Sequence, residues 1–352
     1  MKKLLTKGYN IFVGVKDNRL PFLFVNSPVM SGIYYALFSN KFRREQHAVL
    51  KGKVAHLRDL RINKANIYTL IRNTHRLEKG LLMRPRKPVF GLDYIGETVD
   101  AFVNIWEPNK IQTDAQYKWF YEVLEEYFTT SGPHQKVETL KSKFKNKVNG
   151  FRLDDSCTDK MKYIPYARQE QNKSNITYEE FYKLTKYRRS VRWFLNKPVP
   201  RELIDKAILA ANQSPSACNR QPFEYRIIDD PDLLKEVTTL PMGIRGYEHN
   251  IPMLIVVVGN LGAYFDERDR HVIYIDASLA NMSFMLALET LGVSSCSINW
   301  PDIEHLEMQM ERILNLDRSQ RPIMCMAVGF PDPIGKVAYS EKKSIEKFRK
   351  YN

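Results

Sequence analysis

The sequence predicts an α/β or α+β domain in its C-terminal half, carried behind a mostly helical N-terminal region. Three observations predict it. Strand-like runs at 223–229, 251–259, 294–299 and 322–330 are intermixed with helical patterns, as in layered α/β or α+β architectures. A polar stretch ends at Thr177-Tyr178-Glu179-Glu180, where Thr177 and Glu180 have the spacing of a capping box. Upstream, residues 45–81, 94–106 and 114–128 show helical periodicity. The expected organisation is therefore a basic, mostly helical accessory domain over 1–150, a linker over 151–176 and a second domain over 177–352.

A chain of 352 residues is long enough for two domains, and its 43 % hydrophobic content gives no sign of disorder. The net charge of +14 is local: residues 1–92 hold 19 Lys+Arg against 4 Asp+Glu, while the remainder is nearly neutral. An anionic surface or ligand is expected at the N-terminal region and nowhere else on grounds of charge. Nucleic acid is the weakest such partner, because no recognition motif accompanies the charge. Cys157, Cys218, Cys296 and Cys325 show no C-x-x-C spacing, so no metal site is expected and a reducing cytoplasm is the simplest setting. No stretch resembles a cleaved secretory signal.

Taken in order, Leu20 to Asn40 carries no charge, but Pro21, Pro28 and Gly32 argue against a spanning helix. Ser27-Pro28 reads as an N-cap and first helical residue. The helix that follows puts Met30, Ile33, Tyr34, Leu37 and Phe38 on one broad face, with Lys41, Arg43 and Arg44 directly after. That face suits either the accessory domain's core or a membrane surface. In 45–81, Ile67, Leu70, Ile71, His75 and Leu77 mark a buried face and Gly80 a stop. His75 is either a packed helix-end residue or an acid–base group. Lys141, Lys143, Lys145 and Lys147 form a solvated helix face.

In the second domain, helices are expected over 178–187 and 201–212, and Asp230-Pro231 opens a short one. Asp276 to Gly292 has no charge between Asp276 and Glu289. It reads as a buried helix too short to span a bilayer. Pro301-Asp302 starts a helix to about Leu316, and the basic tail from Lys336 ends helically. Tyr264, Arg270 and His271 fall in a polar loop where substrate groups could reside.

Chemistry concentrates in Lys186 to Phe223. In extended chain, Arg188, Ser190 and Arg192 share one side and offer two guanidinium forks and a hydroxyl, which suits a phosphate. By itself this reads more readily as a charged junction between elements. After an intervening helix comes Ser214-Pro215-Ser216-Ala217-Cys218-Asn219-Arg220-Gln221-Pro222-Phe223, a hydroxyl- and amide-rich loop leading into a strand. The pair resembles the nitroreductase family of FMN-dependent oxidoreductases, which has an R-x-S-x-R/K motif and, about twenty-five residues on, an S-P-S-x-x-N-x-Q-P-aromatic loop.

The resemblance covers roughly 177–352. It implies an α+β fold, a mainly antiparallel sheet flanked by helices, in an intertwined homodimer with FMN at the interface. Arg188, Ser190 and Arg192 would bind the phosphate and ribityl chain, and Arg189 would reach the ring edge. Pro215, Ser216, Ala217 and Asn219 of the other subunit would line the ring, with Gln221 behind. Ser297, Ile298 and Asn299 would place backbone donors beside flavin N5, and Lys342 and Lys343 would close on the phosphate. The loop Gly243-Ile244-Arg245-Gly246 would approach the pyrimidine edge. NAD(P)H would supply hydride and an electron-poor acceptor would receive it, with no sequence-specified catalytic acid. Two departures stand out: Ser297 and Asn299-Trp300 replace an aromatic and a glycine, and about 170 residues precede the domain. Similar two-part chains occur in bacterial polysaccharide gene clusters. The alternative is a flavin-fold scaffold whose basic N-terminus recruits an anionic membrane or a nucleotide-linked glycan.

Overall fold

The computed structural model describes residues 18–63, 66–151, 161–170 and 172–352. Residues 152–160 and 171 of the expected linker, Cys157 among them, lie outside the described residues. The first helices are α1 (Leu20–Phe24), α2 (Pro28–Leu37), α3 (Arg43–Arg58) and α4 (Ile67–Leu81). Ser27 caps α2 as expected, its side chain accepting from the Met30 amide at 3.2 Å. No residue of α2 is buried, so the reading of its apolar face as accessory-domain core does not hold.

Helix α4 joins α5 (Ile95–Ile105), α6 (Ala115–Thr130) and α7 (Gln135–Lys147) in a bundle. Leu70, Leu77, Val99, Phe120, Leu124 and Tyr127 fill its centre. Gly80 does not stop α4, which runs on to Leu81. A Cβ there would lie 2.1 Å from the Phe90 ring, so the residue is small to admit that ring rather than to end the helix.

The second unit contains α8 (Tyr178–Tyr187), α9 (Arg201–Ala211), β1 (Phe223–Ile228), α10 (Pro231–Val237), β2 (Met253–Asn260) and α11 (Val272–Thr290). It continues through β3 (Ser294–Asn299), α12 (Glu304–Leu314), β4 (Gln320–Gly329) and the single turn α13 (Ile345–Phe348). The four strands form one antiparallel sheet in the order β1-β2-β4-β3, flanked by helices, which is the expected α+β class. The alternation of β2 splits two cores: Met253, Ile255 and Val257 pack with α9 and α11, and Leu254, Val256 and Val258 with α10 and α12. The β2–β4 register shifts where Val257 faces Met324 and Val258 faces Pro322, so Ile323 is the extra residue. Pro322, which has no amide hydrogen to donate, sits at this bulge.

Helix α11 starts at Val272, four residues before the expected Asp276. Together with the turn before it, residues 267–290 are long and apolar enough to cross a bilayer, which corrects the expectation that it is too short. Ile273, Ala277, Ala280, Phe284 and Leu288 are nevertheless fully buried against the sheet and α9. Helix α12 begins at Glu304 rather than at Pro301.

Helix α3 ties the two halves together. Ala48 sits in the same core as α9, α11 and β2. A Cβ on Gly52 would lie 2.7 Å from the Leu261 backbone, so only glycine permits this approach. His56 is buried with Nδ1 3.0 Å from the Gly262 carbonyl. The Arg44 guanidinium, 4 % exposed, meets Glu304 at 3.1 Å, Glu307 at 2.8 Å and Glu311 on α12.

Candidate flavin site

The Arg-Ser segment is positioned from both ends. Helix α8 starts at the Thr177–Glu180 capping box and finishes at Tyr187. The chain then runs out beside the edge strand β3. Ser190 makes a parallel bridge to Ser295, and the Val191 amide donates to the Ser295 carbonyl at 3.1 Å. Asn250 fixes the far end: its Oδ1 accepts from the Phe194 amide at 2.9 Å and its Nδ2 donates to the Arg192 carbonyl. The extended path expected for Arg188, Ser190 and Arg192 is thus held by strand pairing and one amide clamp.

These cations form no ion pair among the described residues, although the Arg188 charge acts on Glu289. Among the described residues, no carboxylate lies in ion-pair distance of Arg188, Arg189 or Arg192, whereas Arg44, Arg318 and Arg321 are all paired. Arg188 Nε and Ser295 Oγ are buried without a hydrogen-bond partner. Arg189 Nη1 donates to the Tyr339 carbonyl at 3.1 Å, which brings the C-terminal tail to the motif. Lys342 and Lys343 are exposed, and among the described residues neither ammonium group makes a hydrogen bond or ion pair. Burial pushes the Glu289 carboxyl up, with the Ser294 hydroxyl and the Arg188 charge pulling back.

On β3 the Ser295 carbonyl faces away from β4. In an antiparallel strand the backbone groups of alternate residues face the same way, so those of Ser297 and Asn299 also point off the open edge. Ile298 is buried, and the Met242–Ile244 turn packs beside it, a Cβ on Gly243 falling 3.2 Å from Ile298 Cγ2. Trp300 is also buried, its Nε1 donating to Glu307 at 2.8 Å, so it supports the core.

The Ser214–Phe223 loop is built around α11. Ser214 Oγ donates to Ser283 Oγ at 2.9 Å and the Ala217 amide donates to Asp276 Oδ2 at 3.0 Å. The Gln221 amide donates to Ser216 Oγ at 3.2 Å and Gln221 Nε2 to Asn212 Oδ1 at 3.0 Å. Cys218, Asn219 and Gln221 have φ of 55°, 57° and 48°, the left-handed region that residues with a Cβ rarely adopt. Each such residue costs about 1–3 kcal/mol, and clusters of them mark ligand clamps. Arg220 stacks 4.7 Å over the Tyr264 ring, and α4 abuts the 217–219 turn. Burial pushes the Asp276 carboxyl up, and the Ala217 amide and Arg220 charge oppose it. Beside the loop opens an apolar cleft of about 850 Å³, lined by Phe181, Pro215, Ile275, Leu279, Met282 and Leu286.

Within one chain the two halves do not meet over their whole length. Ala217 is anchored at Asp276, near the start of α11, and Arg188 acts on Glu289 near its end. At 1.5 Å per residue these points are about 20 Å apart along the helix.

Other expected positions lie elsewhere. Tyr264 is a buried core residue, because its ring packs under Arg220, and not part of a polar loop open to substrate. Arg270 is exposed and bonds the Glu267 carbonyl, and His271 precedes α11. His75 is half-buried on α4, 3.4 Å from Glu78. Asp276 and Asn250 escaped the sequence reading. The one signal for Asp276 was a lone acid opening an apolar run.

Residues 185–244 and 246–330 match the model of the nitroreductase family. An iodotyrosine deiodinase of Nematostella vectensis is 25 % identical over 226 residues, 53 % of this chain and 82 % of its own. Iodotyrosine deiodinase 1 of Sus scrofa is 22 % identical over 218 residues, 53 % and 74 % of the two chains. Among solved structures, an FMN-dependent nitroreductase from Clostridium difficile is 23 % identical with a TM-score of 0.41, covering 48 % of this chain and 98 % of its own. A nitroreductase family protein from Streptococcus pneumoniae is 20 % identical with a TM-score of 0.43, covering 49 % and 100 %.

Proposed function

We infer, from the match of residues 185–244 and 246–330 to the nitroreductase family model, that this chain is an FMN-dependent oxidoreductase working as a homodimer with two composite sites. The observation that carries the reading is the set of three guanidinia around Ser190 that make no ion pair among the described residues, with the buried Arg188 Nε lacking a hydrogen-bond partner. A phosphate satisfies such a set, since charge-assisted bonds to guanidinium forks are among the strongest a protein makes.

Arg188, Ser190 and Arg192 would hold the FMN phosphate, and Pro215 to Asn219 of the second subunit would pack on the ring. Two α11 helices related by a two-fold axis would supply that pairing. Ile275, Leu279 and Met282 form an exposed stripe on α11, at 57 %, 46 % and 39 %. Antiparallel packing of such stripes sets the start of one α11 beside the end of the other. Ser297 and Asn299 would direct backbone groups at the flavin edge from the open side of β3. Bound FMN supplies two-electron transfer between NAD(P)H and an acceptor. The apolar side chains of Pro215 and Met282, exposed on the single chain, would be covered when two chains meet and would then help exclude water.

The acceptor is a nitro group, a quinone or a biosynthetic intermediate. A second reading, reductive removal of a halogen from a phenol, follows from the iodotyrosine deiodinase relatives. The test is purification of the full chain, its absorbance spectrum, and NADH and NADPH oxidation with a nitroaromatic, a quinone and a halophenol in separate arms. A flavin spectrum with turnover in one arm supports the reading. A protein that neither contains nor takes up FMN overturns it.

A further inference from the structure

The first two helices carry an apolar surface that nothing in the described chain covers. They form a hairpin closed on an inner seam. Ser31 Oγ donates to the Phe24 carbonyl at 3.1 Å, and the Phe24 ring lies 6.0 Å from Tyr34 and 5.5 Å from Phe38. That seam uses one face of α2. The opposite face carries Val29, Ile33 and Leu37 at four-residue spacing, one stripe of a helix. They are 72 %, 39 % and 71 % exposed, and Phe22 and Leu23 of α1 extend the patch at 76 % and 65 %. A contiguous patch of this kind marks a contact surface.

The charges around it select the contact. Residues 18–44 contain no Asp or Glu, and Arg19, Lys41 and Arg43 bracket the uncharged stretch. Arg43 Nη2 donates to the Ala36 carbonyl at 3.4 Å, which holds that guanidinium at the end of α2 beside the patch. Tyr35 and Phe42 stack edge-on at 4.5 Å at the same end, an aromatic pair next to the cations. Lys41 and Arg43 also line a cleft with Asp302 and Glu304, but the hairpin itself carries no acid. An aliphatic face with aromatic and basic residues at its rim is the composition of a helix seated in an anionic lipid interface.

We propose that the α1–α2 hairpin docks this protein peripherally on an anionic lipid surface, with Val29, Ile33 and Leu37 in the acyl boundary and Lys41 and Arg43 at the headgroups. The test is co-sedimentation of the full chain with phosphatidylglycerol-rich and with phosphatidylcholine vesicles, at low and high salt. The proteins compared are the wild type, the triple variant Val29→Ser/Ile33→Ser/Leu37→Ser and the double variant Lys41→Glu/Arg43→Glu. All five positions lie on the hairpin or just beyond it, away from the cores, and circular dichroism checks that each variant is folded. Binding to the anionic vesicles, lost at high salt and weakened about tenfold or more in each variant, is the expected result. Three results overturn the proposal: no binding to anionic vesicles at low salt, equal binding by the triple variant, or a triple variant that sediments as a smaller oligomer. The last would make the patch a contact between chains.

Discussion

Ser190 is bridged in parallel to Ser295, which joins the Arg-Ser segment to the edge of β3 across more than a hundred residues of sequence. The bridge lays the backbone of the Arg-Ser segment along the strip of β3 where Ser297 follows. That strip is the phosphate-to-ring axis of the site as proposed.

Replacing Arg188 and Arg192 together by Ala should strip the flavin and spare the fold. Hydrogen bonds to charged groups contribute about 1.5–3 kcal/mol each, so affinity should fall about 10²- to 10⁴-fold. Flavin absorbance and a fluorescence titration with FMN measure it, and undiminished affinity would refute the assignment.

Asp276 holds the strained 217–221 loop through the Ala217 amide. Asp276→Ala should leave that amide without its acceptor at a cost of about 1–3 kcal/mol and loosen Cys218 to Gln221. The expected outcome is faster proteolysis within 214–221 and weaker FMN binding, with far-ultraviolet circular dichroism unchanged. A variant with wild-type protection would assign the loop's order to α4 instead.

Leu279→Glu with Met282→Glu would put charges on the exposed stripe of α11. Sedimentation should show dissociation into single chains, and flavin should be lost with it, if each site draws on two subunits as proposed. Flavin-loaded single chains would contradict the shared site.

Arg44→Met would leave Glu307, which is fully buried, without its α3 partner. Removing one member of a buried pair costs about 3–5 kcal/mol, so Tm should drop markedly. The effect is pH-dependent. Burial alone would raise the Glu304 carboxyl, but hydrogen bonds from Arg44 and Arg318 hold it below its ordinary value. A carboxyl depressed in the folded state adds stability above its unfolded value, and that stability is lost as pH falls through the folded value. The wild type should therefore lose more Tm on acidification than Arg44→Met. Parallel curves would exclude the clasp as a source of acid sensitivity.

The sequence was informative where a local rule decided the outcome. The capping box placed α8, Ser27-Pro28 started α2, and the apolar runs became β2 and β4 because buried strands have few polar atoms. It was silent where partners come from far along the chain. Arg44 reads as one more cation in a basic helix, and the carboxylates that bury it stand about 260 residues away. Gly80 reads as a stop until the Phe90 ring is seen against it. Asp276 looks like the opening acid of a helix, yet its work is to hold a loop sixty residues earlier. Tyr264 reads as loop because its neighbours are polar, and burial under Arg220 makes it core. Two of the four groups of candidate site residues, the Arg-Ser segment and the loop, were legible as motifs. Their separation along α11 was not.

The central claim is that one flavin is held by the arginines of one chain and the loop of its partner. The direct measurement is flavin content of a mixed dimer, made by co-expressing a tagged Arg188→Ala/Arg192→Ala chain with a differently tagged Ala217→Glu chain. Each variant alone should purify without flavin. In the mixed dimer one site receives both lesions and the other receives none, so one flavin per dimer is expected. A mixed dimer with no flavin would show that each site is built from a single chain.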